Sequence, residues 1–340
     1  MRLAQALRAA AQALQAAGIE DAPLEAEVLL RHALRLDRAH LYARLQQELS
    51  PGDEAAFRPL LARRLTHEPA AYIVGQREFY GLDLETTPAA LIPRPETELL
   101  VEAALACAGR LNGDWCVPGG PPPASFGRDP NLNVGASEDR SMPPPSGGGE
   151  ELPTNREPVW LKGPTAHRGP FLIVDVGTGN GAIAVALAVH LPRSRLVAID
   201  VSREALALAG RNARRHGVET RITFLQADLL SPLACPMDVI VANLPYVRSD
   251  DWESLAPEIR EHEPRVALDG GPNGLREIGR LLEQAPSRLR PGGSLFVELG
   301  PPQAAAALAL ARRCFPGATA HILPDAAGLD RVLAVDTPVL

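Results

Sequence analysis

The run Asn243-Leu244-Pro245-Tyr246 follows the apolar stretch Val239 to Ala242. It puts a carboxamide, a backbone carbonyl ahead of a proline and an aromatic ring into one short turn. Such a set suits a planar, poorly nucleophilic target nitrogen, an amide or an adenine amine, whose lone pair is delocalised. The Asn243 side-chain oxygen and the Leu244 carbonyl can each accept one N–H of that target. This turns the nitrogen towards an electrophilic methyl group and favours the positive charge that develops. Tyr246 can pack on the target's flat face. Pro245 restricts Leu244 to extended conformations. No strong base is needed, because the proton leaves more readily after transfer. The plain alternative is an ordinary strand-to-loop turn.

A second cluster lies upstream, at Asp175-Val176-Gly177-Thr178-Gly179-Asn180-Gly181. Glycines let the backbone approach a ligand closely and take positive φ. The spacing alone is weak, but here it follows a strand and opens a helix, as in dinucleotide-type folds. Asp200 closes the next strand and is placed to accept two ribose hydroxyls. Asp228 closes the third, where it can receive the exocyclic amine of adenine or simply start a helix. The expected cofactor-binding set is Gly177, Thr178, Gly179, Asn180, Gly181, Asp200, Asp228 and Asn243. A nicotinamide cofactor would use the same architecture, so the turn at 243 to 246 decides between the two.

These residues need a scaffold, and the chain changes pattern four times. Residues 1–70 read as helices. Leu3, Leu7, Ala10 and Leu14 fall at helical spacing, and Gly18 ends the run. A second helix spans 23–36, with Leu24, Val28, Leu29 and Leu34 as its stripe. A third follows the turn Ser50-Pro51-Gly52-Asp53 and runs through Arg64. These should pack as a small helical bundle. Residues 71–92 suggest an extended or hairpin linker around Gly75 and Gly81. A helix is expected from the Pro95-Glu96-Thr97-Glu98 run to about Ala108. Residues 111–169 hold 11 Pro and 10 Gly among 59 residues, with Trp115 and Trp160 as the only large anchors. So little apolar material predicts a disordered insert.

From 171 onwards strands and helices alternate. Strands are predicted at 172–176, 195–201, 222–225, 239–242, 294–299, 319–323 and 331–335. Helices are predicted from about 181 through Leu191, over 203–216 and near 275–289. Buried parallel strands with crossover helices give an α/β, doubly wound sheet of seven strands. The domain reading is therefore 1–70 helical bundle, 71–92 linker and 93–340 α/β domain interrupted by the insert.

Composition narrows the function classes. The chain has 340 residues, 46% of them apolar, enough to bury a sizeable core. Its 41 acidic and 34 basic residues give a net charge of −7, which weighs against a broad cationic face for nucleic acid. Lys162 is the sole lysine, so the basic residues are arginines. Cys107, Cys116, Cys235 and Cys314 form no CxxC pair and there is no zinc spacing, so free thiols and no metal are expected. The opening MRLAQALRAAAQALQAAG is amphipathic and lacks a signal peptide's apolar run. No stretch is long enough to cross a membrane. A cytoplasmic, soluble monomer is expected.

Around these residues the chain resembles the HemK/PrmC family, the protein-(glutamine-N5) methyltransferases that modify peptide chain release factors. The resemblance is carried by Glu68-Pro69-Ala70-Ala71-Tyr72-Ile73-Val74-Gly75, by Glu78-Phe79-Tyr80-Gly81-Leu82 and by Leu91-Ile92-Pro93-Arg94-Pro95-Glu96-Thr97-Glu98. It continues through DVGTGNGAIAVALA from Asp175, His262-Glu263-Pro264-Arg265-Val266-Ala267-Leu268, Arg290-Pro291-Gly292-Gly293 and Glu298-Leu299-Gly300. It covers nearly everything except the insert. It implies a Rossmann-like methyltransferase domain, with S-adenosylmethionine at Gly177 to Gly181, Asp200 and the Asp228 region. It implies further that the N-terminal helices grip the release factor and that the glutamine of its Gly-Gly-Gln loop enters at Asn243 to Tyr246. Glu298 would close the site's far side. The expected catalytic set is Asn243, Leu244, Pro245 and Tyr246. The family's usual motif is Asn-Pro-Pro-Tyr, so Leu244 departs from it. The carbonyl is kept, while a proline's own fixed φ is lost.

Three rival readings remain at this level. An adenine-N6 methyltransferase on DNA or RNA uses a similar motif, and Arg31, Arg35, Arg38, Arg44, Arg63 and Arg64 offer the material of a basic patch. A nicotinamide oxidoreductase shares the glycine loop. A non-catalytic release-factor-binding relative is suggested by Leu244.

Overall fold

The computed structural model describes residues 1–112 and 171–339. The Pro- and Gly-rich stretch at 111–169, with Cys116, Trp115 and Trp160, lies outside the described residues apart from 111 and 112.

The N-terminal part is helical: α1 (Leu3–Ala16), α2 (Ala22–Leu34), α3 (Arg38–Ala43), α4 (Pro51–Leu65) and α5 (Ala70–Val74). Helix α1 buries Leu3, Ala6, Ala10 and Leu14, spaced three or four apart along one face. It gives way at Gly18, whose φ is +78°. Helix α4 starts at Ser50, whose hydroxyl accepts from the Asp53 N–H at 3.1 Å. In α2 the buried face is Ala22, Ala26, Leu29 and Leu30, while Leu24 is 50% exposed. Of the predicted stripe only Leu29 is fully buried, and Val28 and Leu34 are half-buried. Residues 72–74, read as extended, belong to α5.

Strands β1 (Gln76–Phe79) and β2 (Leu82–Glu85) form an antiparallel hairpin. Tyr80 and Gly81 both take positive φ, +52° and +75°, which matches the twist of a two-residue hairpin. Phe79 and Leu84 anchor it against α6 (Glu98–Asn112). The hairpin also docks on α8 (Arg203–Arg215). There the Asn212 side chain accepts from Glu85 N at 2.7 Å and donates to Glu85 O at 3.1 Å.

The C-terminal half is built on one seven-stranded sheet. Its strands are β3 (Phe171–Val176), β4 (Ser194–Asp200), β5 (Ile222–Gln226), β6 (Met237–Ala242), β7 (Leu289–Glu298), β8 (Thr319–Pro324) and β9 (Asp330–Asp336). They stand in the order β5-β4-β3-β6-β7-β9-β8. The first five are parallel, and β9 runs antiparallel to both its neighbours. All six residues of β3 are buried, as a central parallel strand covered on both faces requires. One face packs on α10 (Arg276–Gln284) and α11 (Ala304–Cys314), the other on α6 and α7 (Ala182–His190). Helix α7 is buried from Ala182 to Ala188, so it reads as apolar all round. The sheet matches the seven predicted strands, with β7 starting five residues earlier. Helices α3, α9 (Pro257–His262) and α11 have no counterpart in the sequence reading. Among the described residues no helix is long and apolar enough to cross a membrane.

Arg64 ties the two halves together. Its side chain is 2% exposed, donating to Glu25 of α2 at 2.8 Å and to Glu258 of α9 at 2.5 Å. Removing it leaves two carboxylates facing each other. Arg64→Met is expected to lower the unfolding free energy by about 2–4 kcal/mol in urea titrations. Adding Glu258→Gln should return part of that loss. An equal loss in the double variant would show that packing rather than charge is at work.

Candidate active site

Strand order reverses between β3 and β6, the place where open α/β sheets hold ligands. Val176 pairs with Ala242 there, so the glycine loop and the 243–246 turn leave the sheet at one level. A Cβ built on Gly177 would lie 2.9 Å from Leu244 Cδ2 and 3.6 Å from the Asn243 carbonyl oxygen. Only a glycine allows that approach, and its φ is +73°.

The two turns wall one crevice of about 630 Å³, an ordinary size for a small-molecule site. Gly177, Thr178, Gly179, Asn180, Asp200, Asp228, Asn243, Leu244 and Pro245 all line it. Gly181 and Tyr246 stand behind the wall. Gly181 takes φ +84° at the start of α7, with Ala209 Cβ 2.9 Å from where its own Cβ would sit. The Tyr246 hydroxyl donates to Glu298 Oε1 at 3.1 Å, while burial and the Glu298 carboxylate push its phenol up.

The glycine loop is held from several sides. Gly177 N and Thr178 N both donate to Ile199 O at 2.8 Å. Gly179 N donates to Asp200 Oδ2 and Ser202 N to Asp200 Oδ1, each at 2.9 Å. Each Asp200 oxygen keeps a lone pair for a further donor. Burial pushes the Asp200 carboxyl up, and these backbone donors pull it back. Asn212 Nδ2 reaches the Asn180 carbonyl at 2.9 Å, so one side chain joins the loop to the β1–β2 hairpin. Asn180 Nδ2 is buried with no partner, a donor suited to an acceptor group on a ligand. Close backbone, a buried carboxylate with lone pairs to spare and a spare amide donor thus share one crevice. Asp228 lines the crevice at its rim, more than half exposed, and pairs with Arg280 at 2.5 Å.

The 243–246 turn is braced from behind. Gln303 Nε2 donates to Tyr246 O at 2.5 Å, and Gln303 Oε1 accepts from Gly300 N at 2.8 Å. A Cβ on Gly270 would sit 2.5 Å from Pro245 O, so the segment after α9 packs directly on the turn. Thr97, in a short 3₁₀ turn before α6, accepts from Asn243 Nδ2 at 3.0 Å. Its neighbour Arg94 is ion-paired to Glu263, which is 5% exposed. In the sequence Thr97, Arg94 and Glu263 stand within recognisable motifs but carry no assigned role, and nothing there marks Asn212, Gln303 or Arg280. Only the motifs quoted for the first three offered a signal.

The arginines proposed as a basic patch are largely spoken for. Arg31 and Arg38 flank the buried Glu27, Arg63 pairs with Glu68, and Arg64 is buried. Arg35 and Arg44 stay exposed.

A family profile described as the PrmC N-terminal domain matches residues 5–75, and one described as a methyltransferase domain matches residues 173–263. The release factor glutamine methyltransferase of Moorella thermoacetica is 39% identical over 332 residues, 97% of this chain and 97% of that protein. That of Geobacter sulfurreducens is 39% identical over 322 residues, 93% of this chain and 90% of that protein. That of Cereibacter sphaeroides is 34% identical over 338 residues, 99% of each.

Asp175, at the root of the loop, is fully buried. Its Oδ2 accepts from Thr178 Oγ1 at 2.6 Å and Ala184 N at 3.1 Å, while Oδ1 has no partner. Burial pushes its carboxyl from 3.8 up to about 7. The folded state therefore holds a proton that the unfolded chain has released. The resulting stability is full below about 3.8 and is lost as pH rises through about 7. Asp175→Asn should flatten the decline in unfolding free energy between about pH 4 and pH 7 in denaturant titrations. Parallel profiles for the two proteins would refute the assignment.

Proposed function

This chain belongs to the release factor glutamine methyltransferase family, and we propose that it methylates the side-chain amide nitrogen, N5, of the glutamine in the Gly-Gly-Gln loop of peptide chain release factors. It is an S-adenosylmethionine-dependent methyltransferase. The observation that carries the site assignment is the shared crevice, in which the Asn243–Leu244 turn packs against the glycine loop.

S-adenosylmethionine fits the residues present. Asp200 would take the ribose hydroxyls, the Gly177 to Gly181 backbone would lie along the ligand, and Asn180 would meet its amino-acid head. Asp228 would face the adenine end, sharing its carboxylate with Arg280. Bound there, the cofactor supplies an electrophilic methyl group on a positively charged sulfur. Asn243 Oδ1 and the Leu244 carbonyl accept the two N–H groups of the target carboxamide and fix its nitrogen in line. Both are neutral acceptors, so neither removes a proton. They stabilise the charge that gathers on the target nitrogen. Leu244, 5% exposed in the core cluster beside Gly177, supplies through packing the rigidity that a second proline would supply through its ring. Tyr246 supports the turn from behind.

The N-terminal helices would bind the release factor, and the chain would act as a monomer in the cytoplasm, where translation ends. Purified protein, labelled methyl donor and a release factor are expected to yield label on the factor and none once its target glutamine is changed to alanine. Labelling that persists on the altered factor would remove the glutamine reading. Asn243→Ala is expected to lower kcat by about 100-fold, the scale for losing one preorganised polar contact to a developing charge.

A further inference from the structure

We propose that Glu298 and Thr97 are positioning residues that fix the hydrogen-bond polarity of Asn243, so that its side-chain oxygen, rather than its NH2, faces the target amide. The inference rests on the role given to Asn243 above and says what enforces it.

Glu298 ends β7 and is 1% exposed. Its partner register places it beside Asn243, since Val297 pairs with Ala242. Oε2 accepts from Thr97 Oγ1 at 2.7 Å, and Oε1 accepts from the Tyr246 hydroxyl at 3.1 Å. Burial pushes the Glu298 carboxyl up, against the pull of these two donors. In this geometry both carboxyl oxygens stand as acceptors, so each partner supplies the proton of its bond. Thr97 has one hydroxyl proton, and it points to Glu298. Towards Asn243, 3.0 Å away, Thr97 can then offer only a lone pair. Asn243 must answer with Nδ2, which leaves Oδ1 as the atom free to accept from a target.

An asparagine amide is nearly the same shape either way round, so sterics do not choose its orientation. Without the demand from Glu298, the Thr97 hydroxyl could donate to Oδ1 instead. Asn243 would then present NH2 to an incoming NH2, donor against donor. Thr97 is itself 4% exposed, and its N–H donates to Arg94 O at 3.1 Å. Arg94 in turn pairs with Glu263, which accepts from Ile92 N at 3.2 Å.

Three substitutions test the chain of contacts. Glu298→Gln and Thr97→Val are each expected to lower kcat for the release factor about 10- to 100-fold, with KM for the factor within about threefold. Thr97→Ser, which keeps the hydroxyl, should restore kcat to within a few-fold of the parent. A packing role predicts the opposite order, because valine preserves the shape of Thr97 and serine leaves a gap. A Thr97→Val rate at or above the Thr97→Ser rate, or a parental rate for Glu298→Gln, would overturn the proposal. A second readout needs no substrate: exchange of the Asn243 side-chain NH2 protons followed by NMR. It should be slow in the parent and in Thr97→Ser, and about tenfold faster in Thr97→Val; equal exchange overturns the relay. A parent protein that labels no glutamine would sink the functional reading instead, while the exchange order would still decide the relay.

Discussion

Strands β3 and β6 lie side by side with Val176 opposite Ala242, and that register decides where everything in the site falls. Both strands end at one level, so Gly177 and Asn243 leave the sheet together. From there the chain builds outward in opposite directions, to β4 and β5 on one side and to β7 on the other. The gap between the two exits is the crevice. A slip of one residue would swap the faces of every side chain in β6. The apolar side chains Ile240 and Val241, both fully buried on opposite faces, resist such a slip.

Behind the wall stands a layer of buried polar groups. Asp175, Glu263 and Glu298 are each 5% exposed or less, yet each has hydroxyl, amide or guanidinium donors. A buried carboxylate is tolerable only when donors meet it, and each one met in this way fixes the donors that meet it. The lining residues thus inherit their orientation from groups that never touch the crevice. Asn212 does the same work for the loop, with its side chain bonded to Glu85 on one side and to Asn180 on the other.

The fold was largely written in local pattern. Continuous apolar runs mark the central strands because both their faces are covered, and Gly18 marks the end of α1 because it needs positive φ. What was missed has physical reasons too. Helix α3 buries only Leu41 and is secured by Asp37, which caps it by accepting from His40 N at 2.8 Å. Helix α11 is alanine-rich, with too little contrast between its faces to show a stripe. In α2, small alanines rather than Leu24 face the core, since the neighbouring helix approaches closely. The glycine loop and the turn after β6 were legible as adjacent letters. The partnership of Thr97 with Asn243 and Glu298 was not, because those residues lie 146 and 201 positions away along the chain. Nor could the sequence tell that the Tyr246 hydroxyl would bond to the Glu298 carboxylate, 52 positions away.

Leu244 fills the space that Gly177 leaves open, its Cδ2 2.9 Å from where a methyl group on that glycine would be. The two positions share one small volume across the mouth of the sheet. A side chain at 177 would be strained by the φ of +73° whatever stood at 244, so the glycine is fixed and the leucine must fit against it. The shape allowed at the leucine is therefore set by a residue 67 places earlier in the chain.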